Sequence, residues 1–379
     1  MSVSILEVSN KSELRDWVLF PYELYRDDPL YVPQIIREEI DFFSSDRNPG
    51  FQVADTKLLL ARRGDRVVGR VCGIIHRLEE EKLGYRRGRF GWFECVEDDD
   101  VALTLLRHLE EWFVREGCRE MTGPHGFTDL DPEGLLIDGL DALPTIAGSY
   151  NKGYYRRFLE SFGLEKDVDY VEHRFEFPAE DPLFHRIEKW VRASANEDCR
   201  IVELRSKKEI HHYLDQWWDL LEASFEKLYG VTPLTAAQKA YYTKKYFDFV
   251  DPEFLILAVD RDDRVVGMFL ALPSLSRPFQ KARGKLFPFG FLHILKGFKE
   301  FDTLDFYFAG VHPEVSPTKV LPAMTLAMFK AAEGRGVKFL ETNRELESNT
   351  AITGIWSKFP VVNERRSRVF RKSLGQAAG

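Results

Sequence analysis

The sequence predicts an α/β fold of two tandem units, each a mixed, mostly antiparallel sheet flanked by helices. Three observations carry that expectation. The 379 residues exceed what a single hydrophobic core usually fills, so two domains are the default. An internal repeat runs through the chain, with LLLA at 58–61 followed by DRVVG at 65–69, and LILA at 255–258 followed by DRVVG at 263–267. The spacing from Gly69 to Gly267 also equals that from Asn151 to Asn349, so the copies return to the same register after one loop is gained and another lost.

The elements follow in the same order in both halves. Each half opens on a short strand, at 4–8 and 200–204, and continues into a helix, at 11–25 and 207–229. The repeat itself reads as a hairpin, because apolar, β-branched runs flank a turn rich in Asp, Gly and Arg. A strand at 90–96 or 306–311 then leads into an amphipathic helix that stops at Gly117 or Gly336, where a further strand begins. The second copy gains the segment 276–301 and lacks the long Gly/Pro-punctuated connection at 122–149. The first half closes on a strand at 173–177, followed by a helix-like stretch at 181–194. The expected units are therefore 1–180, a linker helix within 181–198, and 199–379 with 276–301 inserted.

Composition excludes several classes. Hydrophobic residues make up 44%, with 30 Phe, 14 Tyr and 7 Trp, enough for two packed cores. A formal net charge of -8 speaks against a polyanionic partner, so no nucleic acid is expected. Cys72, Cys95, Cys118 and Cys199 form no CxxC pair, which fits a reducing cytoplasm. The N-terminus lacks a basic-then-apolar export pattern, and no run approaches the 18 apolar residues of a membrane span. GxSxG, HExxH, Walker and GxGxxG motifs are absent, and the nine histidines show no metal-ligand spacing, so no metal is expected.

The order strand, helices, antiparallel hairpin, strand, helix, strand, helix and terminal strands resembles the GNAT superfamily of acyl-CoA N-acyltransferases. The resemblance covers nearly the whole chain, twice. It is most specific to a tandem bacterial GNAT-like family, through YELYRDDPLYVP at 22–33, FGWFEC at 90–95, Gly123-Pro124, GLLIDG at 134–139 and YNKGYY at 150–155. GKLFPFG at 284–290, Glu341 and Glu347-Ser348-Asn349 carry it in the second half. The resemblance implies an N-acyltransferase using acetyl-CoA or another acyl-CoA on a small-molecule or lipid-like amine.

Such chemistry needs an anion-binding helix start, and the halves differ there. The first half places Glu97, Asp98, Asp99 and Asp100 at that point, which repel a pyrophosphate but cap a helix well. The second half carries VHPEVSPTKVLPA at 311–323. It has the length of the family's V-x-P-E-x-R-G-x-G-x-G-x-A loop, with Pro317, Lys319 and Leu321 in place of the glycines. By that resemblance Val311, Thr318, Lys319 and Ala323 are the candidate CoA contacts, Thr318 and Lys319 through their side chains. Trp356 stands where the family has a tyrosine acid, and an indole cannot serve. A catalytically silent binding or regulatory protein on the same fold is the open alternative.

Glu341, Glu347 and Asn349 are the candidate catalytic residues, since a polar run ending a buried strand is costly unless it meets a cleft. The bland reading is a solvated strand end with Asn349 as a helix cap. Tyr150, Asn151, Tyr154, Tyr155 and the loop carboxylate Glu133 are candidate substrate contacts. A tyrosine cluster of this spacing is also what a packed helix face looks like. The segment 276–301 alternates Arg277, Lys281, Arg283, Lys285, Lys296 and Lys299 with six phenylalanines, opposed only by Glu300. It reads either as a lid packed on the sheet or as a surface for a membrane or a phosphorylated, apolar ligand.

Overall fold

The computed structural model describes residues 2–178, 182–193, 199–349, 356 and 359–375. The first half runs β1 (Ser4–Glu7), α1 (Lys11–Leu24), α2 (Ile36–Phe42), β2 (Ala54–Arg63), β3 (Arg66–His76), α3 (Arg77–Leu83), β4 (Arg87–Cys95), α4 (Asp99–Arg115), β5 (Glu120–Gly123), β6 (Leu135–Asp138), α5 (Tyr155–Ser161) and β7 (Glu165–Glu176). After α6 (Pro182–Ala193), the second half runs β8 (Cys199–Val202), α7 (Lys207–Phe225), α8 (Ala236–Tyr246), β9 (Leu255–Asp260), β10 (Val265–Pro273), α9 (Ser276–Ala282), α10 (Gly290–Lys299), β11 (Thr303–Val311), α11 (Pro317–Gly334), β12 (Phe339–Glu341), β13 (Glu345–Leu346) and β14 (Val361–Ser373).

Local chemistry sets the helix starts. Asn10 caps α1 by accepting from the Ser12 and Glu13 amides, and Ser206 does the same for α7 toward Glu209. Asp98 caps α4 through the Asp100 and Val101 amides, so the acidic run at 97–100 caps a helix as its composition implies. One face of α4 then buries Val101, Leu105, Leu109, Trp112 and Phe113 against the sheet. The glycine repeated in both hairpins does the same job twice. A β-carbon at Gly69 would meet Leu105 at 2.9 Å, and one at Gly267 would meet Met324 and Val320 at 2.8 Å. Each strand therefore needs glycine for α4 or α11 to lie this close.

All the described strands belong to one sheet, in the order β1-β2-β3-β4-β5-β14-β7-β12-β11-β10-β9-β8, with β13 on β7 and β6 on β14. Read from either edge, the order is the same: a terminal strand, a hairpin, the long strand, its short parallel neighbour, and a closing strand. The closing strands are exchanged. β7, from the first half, pairs with β12, while β14, from the second, pairs with β5. The lengths expected as separate units, 1–180 and 199–379, thus swap their last strands, and β7 and β14 pair along most of their length at the centre. Two further differences from the sequence reading are that β7 begins eight residues earlier than 173 and that the connection at 122–149 contains β6. Each half packs an apolar cluster on both faces of its part of the sheet.

Candidate active site

In each half the long strand and its short neighbour run parallel for three residues and then part. β4 meets β5 only at Arg87–Glu120, Gly88–Met121 and Arg89–Thr122, and β11 meets β12 only at Thr303–Phe339, Leu304–Leu340 and Asp305–Glu341. Parting parallel strands leave backbone groups unpaired at their carboxyl ends, the usual place for a ligand in such sheets. Both long strands also carry an irregularity past the parting point, between Arg70 and Cys72 against β4 and between Leu270 and Ala271 against β11. The second puts Tyr307 and Phe308 consecutively on the α7 face.

The first wedge is filled from within. The His125 amide donates to the Phe90 carbonyl at 2.7 Å, and a side chain at Gly91 would strike the His125 carbonyl at 2.2 Å. Tyr155 accepts from the Cys95 amide at 2.9 Å and donates to Glu94 at 2.7 Å, where Tyr25 donates as well. Tyr154 donates to the Cys95 carbonyl at 2.9 Å. Burial pushes the Tyr155 phenol well above its ordinary range. Asn151 braces Leu136 through both its amide and its carbonyl, and Tyr150 donates to Asp28 at 2.9 Å. All four candidates make hydrogen bonds within the first half.

Glu133 lies where the two halves meet. Tyr170 donates to it at 2.7 Å, and the His125 ring nitrogen sits 3.2 Å away, out of hydrogen-bond alignment. Burial pushes the carboxyl up to about 7 and the imidazole well below its ordinary value, so both favour the neutral form.

The second wedge is built differently. Glu341, 5% exposed, accepts from Arg174 at 2.9 Å and from Arg365 at 2.8 Å. Arg365, itself buried, reaches Glu172 at 3.2 Å and the Leu143 carbonyl at 2.9 Å, so it joins β14, β7 and β12. Asp305 stands directly across from Glu341, 2% exposed, with no hydrogen bond of ordinary geometry to either oxygen. Burial first and the Glu341 charge second raise the Asp305 carboxyl well above its usual range, although the Ser274 hydroxyl is near enough to favour the charged form. Glu341 is raised too, chiefly by burial, but it has both guanidiniums to hold its charge. Tyr307 lies within electrostatic reach of both carboxylates.

A groove of about 790 Å³ leads from the α9–α10 segment to this cluster, past Arg277, Lys281, Ser274 and Thr303 to Arg174 and Glu341. At the other end of β11 the start of α11 is open. Ser316 makes no capping bond, Thr318 is exposed, and Val311 and Ala323 are half-buried. The Lys319 side chain lies outside the described part of the structure. The backbone continues as helix through Pro322. The α11 start therefore presents the Ser316 and Thr318 hydroxyls where α4 presents carboxylates, and only the former suits an acyl-CoA phosphate.

Two sequence candidates fall elsewhere. Glu347 is half-exposed and ion-paired with Arg366 and, at 3.3 Å, with Lys166, which together hold its carboxyl below its ordinary value. That suits a surface tie, not a base. Asn349 follows it, half-buried, its amide on the Leu346 carbonyl. Trp356 fills the apolar core beside Phe175 and Phe306 and donates to Glu345 at 2.6 Å. Asp305, Arg365, Arg174 and Tyr307 were not singled out by sequence. A lone carboxylate inside the apolar strand TLDFYFAGV was the available signal.

This two-winged sheet is the tandem GNAT fold. Over 99% of this chain and 100% of the other, it superposes with a TM-score of 0.57 and 12% identity on a tandem GNAT protein from the clavulanic acid biosynthesis pathway. Among curated proteins the chain is 24% identical over 378 residues to protein YghO of Escherichia coli (strain K12), covering 96% of this chain and 94% of that one. It is 24% identical over 384 residues to the bacterial ceramide synthase of Caulobacter vibrioides (strain NA1000 / CB15N), covering 98% of each. No family model matches the sequence.

Proposed function

We propose that this chain is an acyl-CoA-dependent N-acyltransferase whose second half transfers a long acyl group to a lipid-like primary amine. The observation that carries the reading is Asp305, a buried carboxylate across from Glu341 at the foot of the parted strands, with no ion-pair partner among the described residues and with only the nearby Ser274 hydroxyl to favour its charged form. Such a group is costly in isolation and is relieved by an ammonium, which brings both a charge and donors. A ceramide is the amide of a long-chain amino alcohol, so the likeness to a ceramide synthase along both whole chains supports an amine of that class.

In the reaction Asp305 takes a proton from the bound ammonium, helped by the raised affinity that burial confers. The free amine attacks the thioester carbonyl, the C–N bond forms, the C–S bond breaks, and the CoA thiolate leaves with a proton. We assign the Tyr307 phenol to supply that proton, in place of Trp356, and to recover the second proton that the nitrogen loses as the amide forms. Arg174 and Arg365 hold Glu341 in its charged form. The first half, with its wedge filled and its helix start acidic, acts as scaffold.

The test is thiol release from palmitoyl-CoA and acetyl-CoA, with sphinganine and with a short amine, and mass detection of the amide. Amide formed from sphinganine at a rate well above that from the short amine is the expected result. No thiol release with any pair would remove the acyltransferase reading and leave a silent fold.

A further inference from the structure

We infer that the α9–α10 segment is a peripheral membrane anchor that seats the chain on an anionic lipid surface. Its aromatic side chains do not all pack on the sheet, as a lid would require. Phe287 is 75% exposed and Phe289 68%, and Leu292 and Leu295 on α10 are half-exposed. Phe249, also exposed, stacks on Phe298 at 6.0 Å and widens the apolar tip. A patch of this kind on a chain with a net charge of -8 marks a contact surface.

The tip is held out, not collapsed. Ser276 donates to the Pro144 carbonyl at 2.6 Å, and Gln280 donates to those of Pro29 and Tyr31 at 2.7 and 3.1 Å. The Ile36 amide donates to the Gly284 carbonyl at 2.9 Å. A β-carbon at Gly297 would meet Pro278 at 2.5 Å, so the two helices are clamped together. The base of the segment is thus pinned to the first half while its apolar end projects.

Charge selects the occupant. Arg277, Lys281, Arg283, Lys285, Lys296 and Lys299 are all exposed on the same segment, and its one acid, Glu300, is already paired with Lys296 at 3.3 Å. Aromatic wedges among basic residues match an anionic headgroup layer over acyl chains. No described helix is long and apolar enough to cross a membrane, so the contact is interfacial. Arg277 and Lys281 also line the groove that ends at Glu341, so docking would set the groove's mouth at the lipid surface. That last consequence rests on the acyl-transfer reading; the docking itself does not.

The experiment is vesicle flotation of the whole chain with phosphatidylcholine alone and with phosphatidylcholine mixed with the anionic lipid phosphatidylglycerol. Binding to the anionic vesicles only is expected. Phe287→Ser with Phe289→Ser should reduce it more than tenfold, and Lys285→Glu with Lys299→Glu by about fivefold per residue changed. All four side chains are exposed, so circular dichroism and turnover of a short soluble amine should be unchanged. Equal binding to neutral vesicles, no binding to either, or unaltered binding by both double variants overturns the inference. So does a dimer in light scattering that the phenylalanine variant dissociates while vesicle binding stays absent. Loss of vesicle binding with amine turnover retained separates docking from catalysis.

Discussion

Asp305→Asn should make the protein more stable and catalytically poor at once. In the folded chain Asp305 has its proton affinity raised, so it binds more protons than in the unfolded chain at neutral pH. Stability is therefore lost as pH rises from the ordinary aspartate value through the raised one, and the loss is greatest above it. An uncompensated buried polar group costs about 1–3 kcal/mol, more if charged. An amide at 305 carries no charge and can donate to Glu341, so the gain should reach about that size at pH 8 and shrink toward zero at pH 4. Urea unfolding midpoints at the two pH values measure it. Removing a general base typically slows turnover by about 10²–10⁴, or roughly 3–5 kcal/mol of barrier at 1.36 kcal/mol per decade. A variant destabilised equally at both pH values, with turnover intact, would show that Asp305 is a structural residue and that the amine binds elsewhere.

Other substitutions separate the remaining roles. Glu341→Gln leaves Arg365 and Arg174 without their carboxylate and should cost about 3–5 kcal/mol, whereas Glu347→Gln loses only a half-exposed pair and should change stability by less than about 1 kcal/mol, with turnover unaffected. Glu133, with its carboxyl pushed up to about 7, makes a contribution that is full below pH 4.5 and lost as pH rises through 7, on the order of 3 kcal/mol. Glu133→Gln should flatten that part of the stability profile, which thermal melts across pH 4 to 8 will reveal. Tyr155→Phe removes buried bonds to Glu94 and the Cys95 amide and should cost about 1–3 kcal/mol while kcat holds. A fall in kcat at unchanged stability would return that tyrosine to the chemistry.

Local physics was legible in the sequence, and so was the repeat. The acidic run at 97–100 marks a helix start because capping depends on neighbours in the chain, and the repeated Gly69 and Gly267 answer to a close helix approach that both halves share. The polar end of the strand at Glu341 was legible through the cost of burying it, and the structure shows that carboxylate buried between two guanidiniums. What was not legible is pairing over distance. Nothing near 361–373 says that this strand leaves its own half, because alternation specifies a face and not a partner. The partners of Tyr154 and Tyr155 were hidden for the same reason: their spacing shows a cluster, while only the fold shows that β4 lies on the other side of their hydroxyls. The pairing of Asp305 with Glu341 was not legible because it runs across a parallel pair joined by the whole of α11.

The exchanged strands also govern how the chain can be made and divided. Until 361–373 has been synthesised, the first half has β5 and the flank of β7 without their neighbour, two unpaired edges of the kind that recruit other chains. The early half must therefore wait for the late one, and cutting the chain at the linker should yield two fragments that fold only in each other's company. A duplicated fold whose copies trade their final strand has given up the option of working, or of being lost, one copy at a time.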